Sequence, residues 1–337
     1  VSGAKNSAVA LLPAALLCKN SSKIYNVPKI RDIEYLIKIL KILNCDYKIN
    51  DNALEINTAN LKNTPIPEEL SEQMRASYYF MGSLLARFKK VEISFPGGCH
   101  IGARPIDLHI KGFKALGANV EIIKNKYIIT AEKLHGARIY LDFPSVGATI
   151  NLMLASSYAE GTTIIENAAR EPEIVNVASF LISMGAKITG AGTNTIIIEG
   201  SEILDNGSTE VFPDRIEAST YIVLGALVGK DLKIKGFIKD HINSVLTKLS
   251  ECGVKFKITL SKCKNLQTTD IKTEVFPGFP TDMQQVFTVL LAKANGISTV
   301  TETIYESRFK SAELINTMGG NMKIKDNVLT IHGPVEL

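Results

Sequence analysis

Three groups of residues in this chain have the types and spacing for chemistry. The first is the loop Phe95-Pro96-Gly97-Gly98-Cys99-His100-Ile101-Gly102-Ala103-Arg104-Pro105, between an alternating segment at Val91 to Ser94 and a helical one at Asp107 to Leu116. Three glycines and two prolines around a cysteine describe a mobile functional loop, and His100 and Arg104 nearby could stabilise the thiolate of Cys99; the plainer reading is an ordinary loop thiol. The second group precedes five Ala/Leu-rich helical stretches: Lys5-Asn6, Met74-Arg75, Ser145-Val146-Gly147, Asp214-Arg215 and Thr281-Asp282. Helix N-termini present unpaired N–H groups and partial positive charge, so several aimed at one place make an anion site with phosphate as its natural ligand. The third is Phe276-Pro277-Gly278-Phe279-Pro280-Thr281-Asp282, where the carboxylate is either an N-cap or a positioned general base.

Arginine usage sharpens the second group. Only 8 of the 38 basic residues are Arg, yet Arg75, Arg104, Arg215 and Arg308 all fall in unit-start or loop motifs. Arg where Lys is the common choice suggests bidentate recognition of carboxylate or phosphate; helix capping with surface ion pairs is the alternative. His109 lies on the helix after the cysteine loop and reads either as partner-facing or as packed, while His135, His241 and His332 do not cluster, so no metal site is expected.

The elements that must position these residues repeat. Five times a helix-like segment ends in a short turn and runs into an alternating strand, with turn residues at Asn44, Gly117, Gly185, Gly253 and Gly319, spaced 73, 68, 68 and 66. Glycine recurs because a helix C-terminus closes on a residue that tolerates positive φ. Alternation predicts hairpins at Val120 to Ile129, Lys187 to Ile198 and Met322 to Ile331, joined by turn residues such as Asp326-Asn327. The other half of each unit is an Ala/Leu-rich helix leading to a strand: Ser7–Cys18, Ala76–Ala86, Ala148–Ala159, Ala218–Val228 and Met283–Ala294, the fourth running into a strand at Leu232-Lys233-Ile234. The fold class is α/β, in units of about 68 residues that each read helix, strand, helix, hairpin. Three units make one domain of residues 1–212, and two make a second of residues 213–337, a count that implies a sixth unit outside the chain.

Composition narrows the classes of function. The 337 residues are 45% hydrophobic and 21% charged, which excludes a disordered or fibrous chain. The longest apolar run, Ala8 to Cys18, is too short for the roughly 20 residues of a bilayer-spanning helix. Net charge is 38 − 34 = +4 with no basic, aromatic-laced patch, so nucleic acid is not an expected partner. Cys18, Cys45, Cys99, Cys252 and Cys263 include no C-x-x-C, which argues against a zinc site or disulfide framework and fits a reducing cytoplasm. Four of them read as core or surface residues, and Cys99 stands apart. The chain opens at Val1 with no charged-then-apolar leader, so no targeting segment is read and the natural start is expected upstream.

At these residues the sequence resembles the enolpyruvyl transferases. The matching segments are Gly3-Ala4-Lys5-Asn6, Met74-Arg75-Ala76-Ser77, Pro96-Gly97-Gly98-Cys99 with Ile101 to Pro105, and Ser145-Val146-Gly147-Ala148-Thr149. They continue through Glu166 to Glu173, Pro213 to Glu217, Phe279 to Gln284 and Thr301-Glu302-Thr303. The resemblance spans the chain and implies a fold of two inside-out α/β domains of three repeated units each. The cysteine loop marks the branch of the family that works on a nucleotide sugar.

What the resemblance implies is transfer of the enolpyruvyl group of phosphoenolpyruvate to the 3-hydroxyl of UDP-N-acetylglucosamine, by addition and elimination, with release of phosphate. That reaction is the first committed step of peptidoglycan synthesis, and so serves cell-wall biogenesis, cell shape and division. Carried over by position, Lys5 and Arg104 would hold the phosphoenolpyruvate phosphate and Asn6 would touch both substrates. Cys99 would be the general acid at the methylene carbon and a site of covalent adducts, including with the phosphonate epoxide fosfomycin; Asp282 would be the base on the sugar hydroxyl. Arg75, the run Arg104, Pro105, Ile106, Asp107 and Leu108, the run Phe143, Pro144, Ser145 and Val146, and Ile304 would line the nucleotide-sugar site. Two anionic substrates need fixed cations, carbon protonation needs a donor on a closing loop, and an alcohol nucleophile needs a nearby carboxylate. No metal or cofactor is implied, and no protein partner.

The chain departs from the family pattern in two ways. The family begins with a short strand before the first unit and ends with a sixth unit carrying another arginine on phosphoenolpyruvate; both lie outside this chain, which bears on turnover by the chain as written. Phe143-Pro144 replaces a lysine-containing version found in some relatives, which turns one nucleotide contact into a backbone or stacking contact. Two rival readings stay open: the sister enzyme that uses shikimate 3-phosphate, which lacks the Pro-Gly-Gly-Cys loop, and a non-catalytic chain that binds the nucleotide sugar without turnover.

Overall fold

The computed structural model describes residues 1–50, 53–95, 97, 106–255, 259–305 and 307–337. Among the described residues the chain divides into two compact units, one within residues 3–97 and 106–212, the other within residues 1–2 and 213–337. Each has its own apolar core.

The larger unit holds three repeats. The first runs α1 (Lys5–Ala15), β1 (Ser21–Tyr25), α2 (Arg31–Ile42), β2 (Asp46–Asn50) and β3 (Ala53–Asn57). The second runs α3 (Glu68–Gln73), α4 (Tyr79–Phe88), β4 (Lys90–Ser94), α5 (Asp107–Ala115), β5 (Asn119–Ile123) and β6 (Lys126–Thr130). The third runs β7 (Arg138–Tyr140), α6 (Val146–Ser156), β8 (Thr162–Glu166), α7 (Pro172–Ser183), β9 (Lys187–Thr189), β10 (Thr195–Glu199) and β11 (Ser208–Glu210). The smaller unit holds α8 (Arg215–Val228), α9 (Asn243–Glu251), β12 (Ile271–Lys272), α10 (Gln284–Ala292), β13 (Gly296–Thr301), α11 (Lys310–Thr317), β14 (Met322–Lys325) and β15 (Val328–Gly333).

The architecture is inside out. Helices α1, α4 and α6 are apolar on every side and buried along almost their whole length, as such helices must be, while the sheets lie outside with one face inward. Along β1 and β3, Ile24 sits opposite Leu54, and along β8 and β10, Ile165 sits opposite Ile196, all buried. The sheet orders are β11-β1-β3-β2, β4-β6-β5, β7-β8-β10-β9 and β12-β13-β15-β14.

The repeats are laced together by strand exchange. Each four-stranded sheet has an outer parallel strand: β7 beside β8, β12 beside β13, and β11, which returns from the third repeat to β1 of the first and closes the larger unit into a ring. The second repeat has only a parallel bridge in that place, Ile66 to Ile93.

All five turn residues adopt the left-handed conformation: Asn44 at φ 62°, Gly117 at 93°, Gly185 at 103°, Gly253 at 80° and Gly319 at 98°. Each is followed by the same closing bond from the next amide to a carbonyl five residues back. These are Cys45 to Leu40, Ala118 to Phe113, Ala186 to Leu181, Val254 to Leu249 and Gly320 to Ile315, at 2.9–3.0 Å.

The fourth repeat departs from expectation. Leu232-Lys233-Ile234 is not a strand: Leu232 makes a single antiparallel bridge to Leu260, and Val254 and Lys255 belong to no strand. No parallel strand of another repeat pairs here among the described residues, and a lone strand pair without a third member is only marginally stable. Smaller shifts occur at helix ends. The first helix spans Lys5–Ala15 rather than Ser7–Cys18, and the helices expected from Ala76 and Met283 open on 3-10 turns, Arg75–Tyr78 and Thr281–Met283.

Candidate active site

The repeat length is written into the hydrogen bonds of the larger unit. Ser83 Oγ donates to the Pro13 carbonyl at 2.7 Å, Arg87 Nη1 to the Cys18 carbonyl at 2.6 Å, Gly82 N to Asn151 Oδ1 at 2.9 Å and Tyr158 Oη to the Leu17 carbonyl at 2.7 Å. The first three link residues 70, 69 and 69 apart and the last 141, about two repeats. Helices α1, α4 and α6 therefore run side by side in one direction, with their N-termini at one end. Lys5, Arg75 and Ser145, at intervals of 70, occupy that end. Lys5 is the exposed first residue of α1, which has no side-chain cap; Ser145 caps α6, its Oγ accepting from Ala148 N at 3.3 Å. Asn6 follows Lys5, half-buried.

Around this end the fold gathers most of the residues expected to meet a nucleotide sugar. The Arg75 guanidinium lies 5.6 Å from the centroid of the Tyr78 ring, and that ring meets His109 edge-on at 5.0 Å. His109 sits on α5 just after Ile106, Asp107 and Leu108. A Cβ on Gly147 would come within 2.8 Å of Tyr78 Oη and 3.1 Å of His109 Nε2, so only glycine lets the start of α6 approach this closely. Segments 75–78, 106–109 and 145–147 are thus one packed group. Phe143 is exposed, and its carbonyl accepts from Ser145 N at 2.7 Å.

Asn151 fixes that group from within. Its Oδ1 takes the Gly82 amide, while its Nδ2 donates to the Tyr78 carbonyl at 3.0 Å and meets His109 Nδ1 at 2.9 Å. With both amide hydrogens used, His109 Nδ1 is the acceptor and the ring is neutral, a tautomer assigned from the network. Burial, helped by Arg75, pushes His109 down to about 3. His109 is therefore a packed residue. Tyr78 and Asn151 were missed by sequence reasoning, although a lone amide within the apolar run Ile150 to Ala155 was a signal.

Cys99, Arg104 and Pro105 lie outside the described residues. Of the loop's beginning, Phe95 stacks on Tyr127 at 4.6 Å between centroids and Gly97 N donates to the Ser71 carbonyl at 3.1 Å. The other cysteines bear out their reading: Cys18, Cys45 and Cys252 are buried and Cys263 is half-buried. Burial pushes the Cys45 and Cys252 thiols up to about 12.

In the smaller unit two acids occupy equivalent repeat positions, 282 − 214 = 68 residues apart, and behave differently. Asp214 turns onto its own helix, its Oδ1 accepting from Ile216 N at 2.8 Å and Glu217 N at 3.0 Å. Among the described residues neither the 3-10 turn Thr281–Met283 nor α10 has a side-chain cap, and Asp282 makes no capping bond. Its Oδ1 instead accepts from Arg308 Nη2 at 2.6 Å; the Asp282 side chain is 41% exposed and that of Arg308 only 10%. Arg308 Nη1 also donates to Thr281 Oγ1 at 3.2 Å. Ile304 follows on the same turn system, its amide donating to the buried Glu302 at 2.8 Å. An exposed carboxylate aimed by a buried guanidinium can accept a proton from a bound hydroxyl. Sequence reasoning named Arg308 among the motif arginines but not its partner, and gave Glu302 no role.

Among the described residues no group of three or more His, Cys, Asp or Glu is placed to hold a metal ion, and no helix is long and apolar enough to cross a membrane.

Comparisons with known proteins agree with this architecture. UDP-N-acetylglucosamine 1-carboxyvinyltransferase 2 of Bacillus subtilis is 49% identical over 100% of this chain and 80% of its own length. Proteins of the same name from Staphylococcus epidermidis and Staphylococcus aureus are 47% and 48% identical over 98% of the chain and 80% of theirs. Among solved structures, the enolpyruvyl transferase NikO from Streptomyces tendae superposes with a TM-score of 0.89 at 22% identity, covering 99% of this chain and 81% of that one. EPSP synthase from Acinetobacter baumannii superposes at 0.72 and 16% identity, covering 100% and 81%. Both share the fold. The model of the family described as EPSP synthase (3-phosphoshikimate 1-carboxyvinyltransferase) matches residues 1–337, and this chain belongs to that family of carboxyvinyltransferase enzymes.

Proposed function

We propose that this protein transfers the enolpyruvyl group of phosphoenolpyruvate to the 3-hydroxyl of UDP-N-acetylglucosamine, the first committed step of peptidoglycan synthesis in the cytoplasm, with the consequences for cell shape and division that follow. The observation that carries the reading is the 49% identity, along the whole chain, to a Bacillus subtilis protein named for that reaction. Structures of the family at 16–22% identity speak only to the fold. The group in which Arg75, Tyr78, His109 and the N-terminus of α6 pack together supports it, because a guanidinium beside a helix N-terminus suits a nucleotide diphosphate. Residues 1–212 act as a domain of three units and residues 213–337 as two units of a second.

The reaction proceeds in two balanced steps. Asp282 takes the proton of the sugar hydroxyl as its oxygen bonds to C2 of phosphoenolpyruvate, and Cys99 delivers a proton to C3, giving a tetrahedral adduct. Loss of a C3 proton to the Cys99 thiolate then re-forms the double bond as the C2–O bond to phosphate breaks, and the proton held by Asp282 leaves with the inorganic phosphate. Lys5 and Arg104 hold the phosphate, and Asn6 touches both substrates. Arg75, Pro105, Ile106, Asp107, Leu108, Phe143, Pro144, Ser145, Val146 and Ile304 hold the nucleotide sugar. The chemistry uses only side-chain acids, bases and cations, and fosfomycin acts by alkylating Cys99.

The test is phosphate release from phosphoenolpyruvate, run in parallel with UDP-N-acetylglucosamine and with shikimate 3-phosphate. Release with the nucleotide sugar alone is expected. Release with shikimate 3-phosphate alone, or binding of the nucleotide sugar with no release, would overturn the reading.

A further inference from the structure

Glu302 lies at the end of β13, next to the turn that carries Ile304, and is 4% exposed. A buried carboxylate is tolerated only when its oxygens are fully engaged, and this one is the hub of four hydrogen bonds. Oε1 accepts from Thr273 Oγ1 at 2.8 Å, Ile304 N at 2.8 Å and Tyr305 N at 3.1 Å. Oε2 accepts from Thr281 Oγ1 at 2.8 Å. The backbone of Glu302 is held as well, its amide donating to the Asn327 carbonyl at 2.9 Å and its carbonyl accepting from Asn327 Nδ2 at 3.2 Å.

The bond to Thr281 matters most, because a hydroxyl has a single hydrogen. With that hydrogen given to Glu302, the remaining lone pairs of Thr281 Oγ1 face Arg308 Nη1, 3.2 Å away. Arg308 Nε is buried with no hydrogen-bond partner among the described residues, so the guanidinium plane rests on its two Nη contacts and on the Tyr305 ring at 5.4 Å. The other Nη contact is Asp282 Oδ1 at 2.6 Å. A chain of fixed donors and acceptors therefore runs Glu302, Thr281, Arg308, Asp282, and the same Glu302 anchors the backbone of Ile304.

We propose that Glu302 is a positioning residue for the reaction: through Thr281 and Arg308 it sets the orientation of the Asp282 carboxylate, and through the Ile304 amide it ties that orientation to the segment that meets the sugar. This rests on the reading of Asp282 as the base. Without the carboxylate the Thr281 hydroxyl is free to turn its hydrogen toward Arg308, which loosens the guanidinium and lets Asp282 swing. Misplacement of a reacting group by about 1 Å can cost on the order of 100-fold in rate.

The experiment is a double-mutant cycle on steady-state turnover of the full chain. Glu302→Gln is expected to lower kcat about 10–100-fold while KM for phosphoenolpyruvate changes less than about threefold. Thr281→Val, which cuts the same chain without touching the other bonds of Glu302, is the companion variant should Glu302→Gln not fold, and is expected to lose turnover similarly. In an Asp282→Asn background neither substitution should cost anything further, because the group they orient is already gone. Equal losses in both backgrounds, or Glu302→Gln turnover within twofold of the parent, would overturn the proposal. A second readout is independent of the reaction: the 13Cγ resonance of Asp282, identified by its disappearance in Asp282→Asn, should move in both variants at fixed pH. If the parent releases no phosphate with UDP-N-acetylglucosamine the reaction is misassigned, and an unmoved Asp282 resonance then sinks the positioning role on its own.

Discussion

Gly82 of α4 gives its amide hydrogen to Asn151 of α6 at 2.9 Å, across 69 residues of sequence, and a Cβ on Gly82 would lie only 2.5 Å from the Asn151 carbonyl oxygen. The two helices meet backbone to backbone, and one buried amide reads the junction. Because that amide also holds Tyr78 and His109, the core contact and the surface group containing Arg75 share a single support.

Asn151→Leu keeps the number and branching of the side-chain heavy atoms and removes all three contacts. It leaves the Gly82 N–H, the Tyr78 carbonyl and His109 Nδ1 facing an apolar group, and buried orphans cost about 1–3 kcal/mol each. The expected loss is about 3 kcal/mol after relaxation, a fall in Tm of roughly 10 °C by calorimetry. A change within about 2 °C would show that the amide is not the support described.

His109 links stability to acid. Its folded value lies near 3 against 6.5 for an unperturbed imidazole. Above pH 6.5 the ring is neutral in both states and contributes no slope. Between 6.5 and 3 the unfolded chain binds the extra proton, so stability falls as pH drops, by up to about 1.4 kcal/mol per pH unit. His109→Asn keeps an acceptor near the place of Nδ1 and cannot titrate. Urea unfolding from pH 6.5 to 4 should therefore give a shallower slope for the variant, and parallel slopes would exclude the linkage.

Local chemistry made the repeat readable, and non-local pairing hid the rest. Asn44, Gly117, Gly185, Gly253 and Gly319 mark helix ends because positive φ is a property of the residue itself. The strand expected at Leu232 failed because a strand needs neighbours, and among the described residues Leu232 has only a single bridge, to Leu260. At the site, Lys5, Arg75 and Ser145 were visible as helix starts, and their 70-residue spacing became a shared bundle end on folding. Asp282 was ambiguous because caps and bases draw on the same residue types; only its pairing with Arg308, 26 residues later, separates it from Asp214. Glu302 fell in the matching segment Thr301-Glu302-Thr303 but showed no role, since the hydroxyls that donate to it are those of Thr273 and Thr281, 29 and 21 residues away, while only the Ile304 and Tyr305 amides are local.

Thiol chemistry should sort the five cysteines. Cys45 and Cys252, pushed up to about 12 by burial, and Cys18, raised by burial, carry almost no thiolate at neutral pH. A thiol reagent applied to the native protein at pH 7, followed by peptide mapping, should leave these three unmodified until denaturant is added. Fosfomycin should add once, at Cys99, and not at all to Cys99→Ala. Labelling of Cys45 or Cys252 at the rate of Cys99 would contradict the assigned burial.

Asp214 and Asp282 offer a sharper test, because they stand at the same repeat position in different roles. Asp214→Ala removes a cap that accepts two amide hydrogens and should cost about 1 kcal/mol of stability. Asp282→Asn keeps an oxygen for Arg308 and disturbs no cap, so its unfolding free energy should stay within about 0.5 kcal/mol of the parent. It cannot take the sugar proton, so kcat should fall by roughly 100- to 10,000-fold with nucleotide-sugar affinity retained. Arg308→Lys keeps the charge but replaces a planar fork that bonds Thr281 and Asp282 together with a point charge that cannot hold both, and should lose about 10-fold in kcat. Paired denaturation and turnover measurements on the three variants decide the matter: if Asp282→Asn loses stability as Asp214→Ala does and keeps its turnover, Asp282 is a structural residue and the base must be sought elsewhere.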